Sequence, residues 1–124
     1  MPRLALGLLI GLLGSVSLVH SQEATERFIP IGQSPGLSGT HTMIGEIQAV
    51  DGQSRTLTVA AEERTYSVGV TERTRIWIDR SHLDLPALTG DFADCHRGLK
   101  VEVKFEDEKE QGAADWIKIQ QPTS

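Results

Sequence analysis

The sequence predicts an all-β fold: a small, five- to six-stranded OB-like barrel with a short helical insert before the fifth strand and an extended N-terminal arm. Three observations predict it. From residue 43 onward, apolar residues recur with a period of two in short runs about 8–12 residues apart. Those runs are rich in Val, Ile and Thr, which suit a pleated, half-buried surface. No segment carries a helical period long enough to compete, and a small sheet must close or cover its sticky strand edges.

The 124 residues suffice for one domain. With 39% hydrophobic residues and 12 glycines, the composition is that of a globular chain. It excludes a collagen, a disordered chain or a multi-span membrane protein. Twelve Lys and Arg against 17 Asp and Glu give a net charge of −5. Such a balance offers no global attraction for phosphate backbones or anionic lipids. A single cysteine rules out an internal disulfide framework and a Cys-rich zinc site.

Residues 1–21 read as a secretory signal. Arg3 supplies the positive end, and the stretch from Leu4 to Val19 is apolar or small. It is shorter than the roughly 20 apolar residues of a spanning helix. Small side chains place the cut after Ser21, with Val19 two residues before it. An uncleaved signal is the one route to membrane attachment. The lone Cys95 is far from the cut, so an acylated-cysteine signal is excluded. Removing 1–21 takes away Arg3 alone among the charges and leaves the chain one unit more negative.

Residues 22–42 carry Pro30, Pro35, Gly32, Gly36 and Gly39, too many breakers for a regular element. They read as a flexible or extended arm. Its Phe28, Ile29, Ile31 and Leu37 are unusual for a spacer and predict docking, either on a partner or, favoured because a small barrel leaves apolar area uncovered, on the domain's own surface.

The barrel domain is expected over 43–121. Its first strand is 43–50, with Ile44, Ile47 and Val50 at a spacing that calls for a bulge. Asp51-Gly52 supplies turn chemistry with positive φ. The second strand, 56–60, puts Leu57 and Val59 inward; the third, 65–70, aligns Tyr66, Val68 and Val70. In the fourth, 74–79, Ile76 and Ile78 share one face, and Arg75, Trp77 and Asp79 share the other. A long irregular stretch, 80–98, holds a short helix over 91–95 that ends near Gly98. The fifth strand, 100–106, alternates most clearly: Val101, Val103 and Phe105 in, Lys100, Glu102, Lys104 and Glu106 out. After a charged turn at 107–112, the last strand, 113–120, turns Ile117 and Ile119 inward.

The series GEIQAVDGQSRTLTV, YSVGVTERTRI, RGLKVEVKFED and ADWIKI resembles a family of small exported bacterial domains of unknown function. The resemblance spans residues 45–119. It implies an OB-like barrel in the bacterial envelope and no assigned activity. The layout is also similar to that of periplasmic copper chaperones, which hold Cu(I) with His, two Met and a stacked Trp between the second and third strands. Here that interval, 61–64, reads AEER and lacks those ligands, so the copper function does not transfer.

Four groups of residues are candidates for chemistry. Arg75 and Trp77 share a strand face, with Arg73 and Arg80 nearby, and such a surface binds ligands by stacking and cation–π contact. Cys95 and His96, with His82 and then His41 or Met43, are possible soft-metal ligands alongside Asp91 and Asp94. Ser81, His82 and Asp84 are adjacent in sequence, which is not triad geometry. The acidic run 106–110 lacks the spaced loop of a calcium site. Nucleophile-elbow, HExxH and phosphate-loop motifs are missing. The sequence therefore predicts an exported, non-catalytic binding or accessory module. It is a monomer without a cofactor, with a protein partner or small ligand at Trp77, Arg75 and Arg80, and does not bind nucleic acid. The alternative is a periplasmic Cu or Zn binding protein that uses Cys95, His96 and His82.

Overall fold

The structure, a computed structural model, describes residues 28–107 and 112–123. The proposed signal, the arm's first six residues and part of the turn after the fifth expected strand lie outside them.

Seven strands form a single mixed sheet. They are β1 (Met43–Asp51), β2 (Thr56–Ala61), β3 (Arg64–Gly69), β4 (Arg75–Asp79), β5 (Leu88–Thr89), β6 (Lys100–Phe105) and β7 (Ala114–Gln120). Their order across the sheet is β3-β2-β1-β6-β7-β4-β5. All pairings are antiparallel except β4 with β7, which run parallel. Six strands match expected ones. The extra strand, β5, is a two-residue edge inside the irregular insert, too short to leave a period in the sequence.

β1 serves two neighbours. Its first half, Met43 to Glu46, pairs with β6, and from Glu46 to Asp51 it pairs with β2. The change of partner is accommodated by a register shift between Ile47 and Ala49, the bulge that the apolar spacing requires. The backbones approach most closely at Gly45: a Cβ there would stand 2.3 Å from the Ala60 carbonyl oxygen. In the following turn the carboxylate of Asp51 accepts the amides of Gln53 and Ser54, which hold its pKa below the usual range. Positive φ falls on Arg55, at 54°, and not on Gly52 as Asp-Gly chemistry predicts.

One face of the sheet carries the core. Ile47, Leu57, Val59, Val68, Val101, Val103 and Ile117 are fully buried there, joined by Val70, Ile76, Cys95, Phe105, Ala114 and Ile119. Val50, one of the three apolar residues that set the β1 pattern, lies beyond the bulge and is exposed. In the insert, the expected helix over 91–95 is a single 3₁₀ turn, Phe92–Asp94. It is capped by Asp91, whose side chain accepts the Ala93 amide while Asp94 accepts the Asp91 amide. A second 3₁₀ turn spans Ser81–Leu83. These are the whole helical content of the described residues.

The opposite face departs from the expected pattern. The alternation of β6 predicts Glu102 in solvent; instead Glu102 is fully buried. Asp79, Trp116 and Lys118 are buried with it. The reason is the arm. Residues 28–42 fold back in a series of turns over β4, β6 and β7, so side chains turned away from the core are covered all the same. The described part of the arm is thus docked on its own domain, as its apolar residues predict, and makes no strand of its own.

Candidate functional site

The arm-covered face is built from strand register. Across the sheet, Ile44 of β1 stands beside Glu102 of β6, Glu102 beside Lys118 of β7, and Lys118 beside Trp77 of β4. Partners in register present their side chains on the same face. In the adjoining row Lys104 stands beside Trp116, and Trp116 beside Arg75. Period-two alternation adds Asp79, two residues beyond Trp77.

Three charges from three strands therefore meet the arm. Asp79 Oδ2 accepts the Ile31 amide at 2.9 Å, and its Oδ1 accepts the Ser81 amide at 2.8 Å. Glu102 Oε1 accepts the Gly32 amide at 2.9 Å, and its Oε2 accepts the hydroxyls of Ser38 and Thr42, each at 2.7 Å. Lys118 Nζ donates to the Ile29 carbonyl at 2.6 Å. Every buried side-chain polar atom among the described residues has a partner. Burial pushes the Asp79 carboxyl up, but the Ile31 amide and the hydroxyl and amide of Ser81 outweigh it and hold the pKa below the usual carboxylate range. Burial also lowers the Lys118 ammonium, and the charges of Glu102 and Asp79 oppose that effect.

Aromatic rings complete the surface. Trp77 lies edge-on to Phe28 of the arm at 6.2 Å and to Trp116 at 6.3 Å. Lys118 Nζ sits 5.3 Å from the Phe28 ring and 4.7 Å from the Trp116 ring. At the rim, the guanidinium of Arg75 is 5.2 Å from the Trp77 ring. The Arg75–Trp77 pair expected from the strand pattern is thus present, with Arg75 exposed and Trp77 half-buried. Arg80 plays a different part: its Nε donates to the Pro86 carbonyl at 2.7 Å and braces the insert. Arg73, the other nearby cation, forms a two-pronged pair with Glu106 at 3.2 and 3.1 Å. That contact also accounts for the first member of the acidic run.

The soft-metal candidates separate. Cys95 is 3% exposed, among the core residues, whereas His96 and His82 are exposed on the surface. No group of three or more His, Cys, Asp or Glu side chains among the described residues is arranged to hold a metal ion. Burial pushes the Cys95 thiol up to about 12, with Asp94 and Asp91 adding to it and Arg55 opposing. The thiolate is the ligand form, so this sulfur stays neutral at physiological pH. Ser81, His82 and Asp84 are exposed residues of one tight turn, and Asp84 adopts φ 59°. Among the described residues, the cavity lined by Ile78, Leu99 and Ile119 and the one lined by Met43, Tyr66 and Phe105 measure about 150 and 170 Å³, each smaller than the roughly 300–1,000 Å³ of a pocket for a drug-sized ligand.

Phe28, Asp79, Glu102, Trp116 and Lys118 are not among the four groups that the sequence offers as candidates for chemistry. The signals for them were present: Trp-x-Asp in β4 and Trp-x-Lys in β7 alternate charge with aromatic on one face, and the arm carries too many apolar residues for a spacer. Compared with known protein families, curated proteins and solved structures, the chain matches none.

Proposed function

We propose that the protein is an exported, non-catalytic binding module of the bacterial envelope, and that its sheet closes as an OB-like barrel. Support for closure comes from the end of β3. Gly69 bridges Ala113 in parallel, and its amide donates to the Gly112 carbonyl at 2.8 Å, which brings the β3 edge against the start of β7. The signal-like residues 1–21 support export, in line with the resemblance to small envelope domains.

The observation that carries the binding reading is the exposed guanidinium of Arg75 over the half-buried ring of Trp77. The Trp77 ring is braced by Phe28 and Trp116, so it is held in place before any ligand arrives. An aromatic ring beside an exposed cation suits a protein partner or a small ligand with a planar or anionic group. Native mass spectrometry of the chain purified from the exported fraction tests it. The expected result is a retained ligand or partner mass that disappears in Arg75→Ala. A bare chain in both samples, or an adduct indifferent to the substitution, overturns the reading.

A further inference from the structure

The charges beneath the arm address its backbone. Asp79, Glu102 and Lys118, on β4, β6 and β7, contact the peptide groups of Ile29, Ile31 and Gly32, a run of four residues. Glu102 also holds the two hydroxyls of Ser38 and Thr42. Phe28, at the head of the run, lies edge-on to Trp77 and beside the Lys118 ammonium. Side chains that hydrogen-bond the N–H and C=O groups of a segment, with one aromatic anchor beside them, recognise it through its backbone as well as through that ring. As a device for stability alone the arrangement is poor, because buried ionic groups rarely outperform apolar packing of the same volume.

The arm is also separable from the sheet. It contributes no strand to the ladder, and its own backbone hydrogen bonds are local turns such as Gln33 to Pro30 and Leu37 to Ser34. Lifting it breaks hydrogen bonds to three side chains and the Phe28–Trp77 contact, and leaves every strand pairing intact.

We propose that this trough is a peptide-binding site, that residues 28–42 are its built-in occupant, and that a turn-forming segment of a partner protein takes their place. The inference rests on the reading of the molecule as a binding module and gives its partner a chemistry. The segment offers an aromatic residue, then an apolar–Pro–apolar–Gly stretch, then hydroxyl residues. Glycine is required at the position of Gly32, where φ is +81°. Tethering holds the arm at an effective concentration on the order of millimolar, so the arm excludes weak competitors.

Two measurements on the full mature chain test this. In native-state hydrogen exchange, the amides of Ile31 and Gly32 are expected to exchange at least about tenfold faster than those of Val101 and Val103, through an opening insensitive to low urea. Exchange of all four at one rate with one urea dependence overturns the proposal. The second measurement uses Gly32→Pro, which removes the amide that Glu102 accepts and cannot adopt the required φ. A fluorescein-labelled synthetic peptide of residues 28–42 is expected to bind this variant one to one. The affinity should exceed that for the wild-type chain, whose own arm competes, by about tenfold or more. The same peptide with Phe28→Ala should bind about tenfold more weakly. No binding to a Gly32→Pro chain that keeps its native near-UV circular dichroism overturns the proposal; if that variant does not fold, the exchange experiment decides alone. Failure here, with an envelope ligand still lost in Arg75→Ala, removes the peptide site and leaves the binding-module reading standing.

Discussion

At the scale of single residues, the decisive feature is charge placed where solvent does not reach. Asp79 is 1% exposed yet stays ionised, because two amides and a hydroxyl outweigh its lost hydration. Its folded pKa lies below the ordinary 3.8. Its contribution to stability is therefore present above that value and is lost as pH falls through the lowered one. Acid titration of stability should accordingly show a shallower loss below pH 3.8 in Asp79→Asn than in the wild-type chain, read from urea midpoints at successive pH values. Cys95 behaves in the opposite sense. Its pKa rises from 9.0 to about 12 on folding, so its contribution is present below 9.0 and is lost as pH climbs toward 12. Lys118, lowered by burial, works against this trend, since its cost is relieved as pH approaches 10.5. Replacing Cys95 with Ala should remove the thiol's share of the alkaline decline, and an unchanged slope of stability between pH 9 and 12 would contradict the assignment.

At the scale of elements, β1 determines how the sheet bends. It hands over from β6 to β2 within a few residues, and Gly45 lies beside the hand-over because the neighbouring strand leaves no room for a side chain. Gly45→Ala would push a methyl group against the Ala60 carbonyl and the Val59 side chain. The expected cost is about 1–3 kcal/mol, the usual range for overpacking. Gly52→Ala, whose added carbon meets nothing within 4 Å, is the control and should change the urea midpoint little. Most elements were legible in the sequence. The strands announce themselves because one face must be apolar, and the β1 bulge because its apolar spacing breaks the period. The two-residue β5 and the 3₁₀ turn in place of a short helix were not legible. Neither buries a periodic face, and the end of the insert is held instead by the local bonds of Asp91 and Asp94.

At the scale of the whole molecule, the arm and the sheet form one packed unit over the described residues. The proposed export makes a prediction about residues 1–21: Edman sequencing or intact mass of protein from the exported fraction should give Gln22 as the first residue. An intact Met1 would leave the chain anchored. The candidate site was only half legible. Arg75 and Trp77 share a strand face, so their pairing follows from alternation alone. Arg80 stands near them in sequence, but its guanidinium is drawn to the Pro86 carbonyl. Cys95 and His96 are neighbours in the chain, yet one enters the core and the other faces water. What the sequence determined by itself was the all-β class, the order of the strands along the chain and the inward set of apolar residues, because these depend on local period and on the need to bury one face. The tertiary structure decided which strands pair, including the parallel β4–β7 contact, and what covers the second face. Alternation can say that Glu102 and Lys118 turn away from the core. Only the return of a segment some 70 residues earlier in the chain, where Gly32 meets Glu102, determines that they are buried and bound to its backbone.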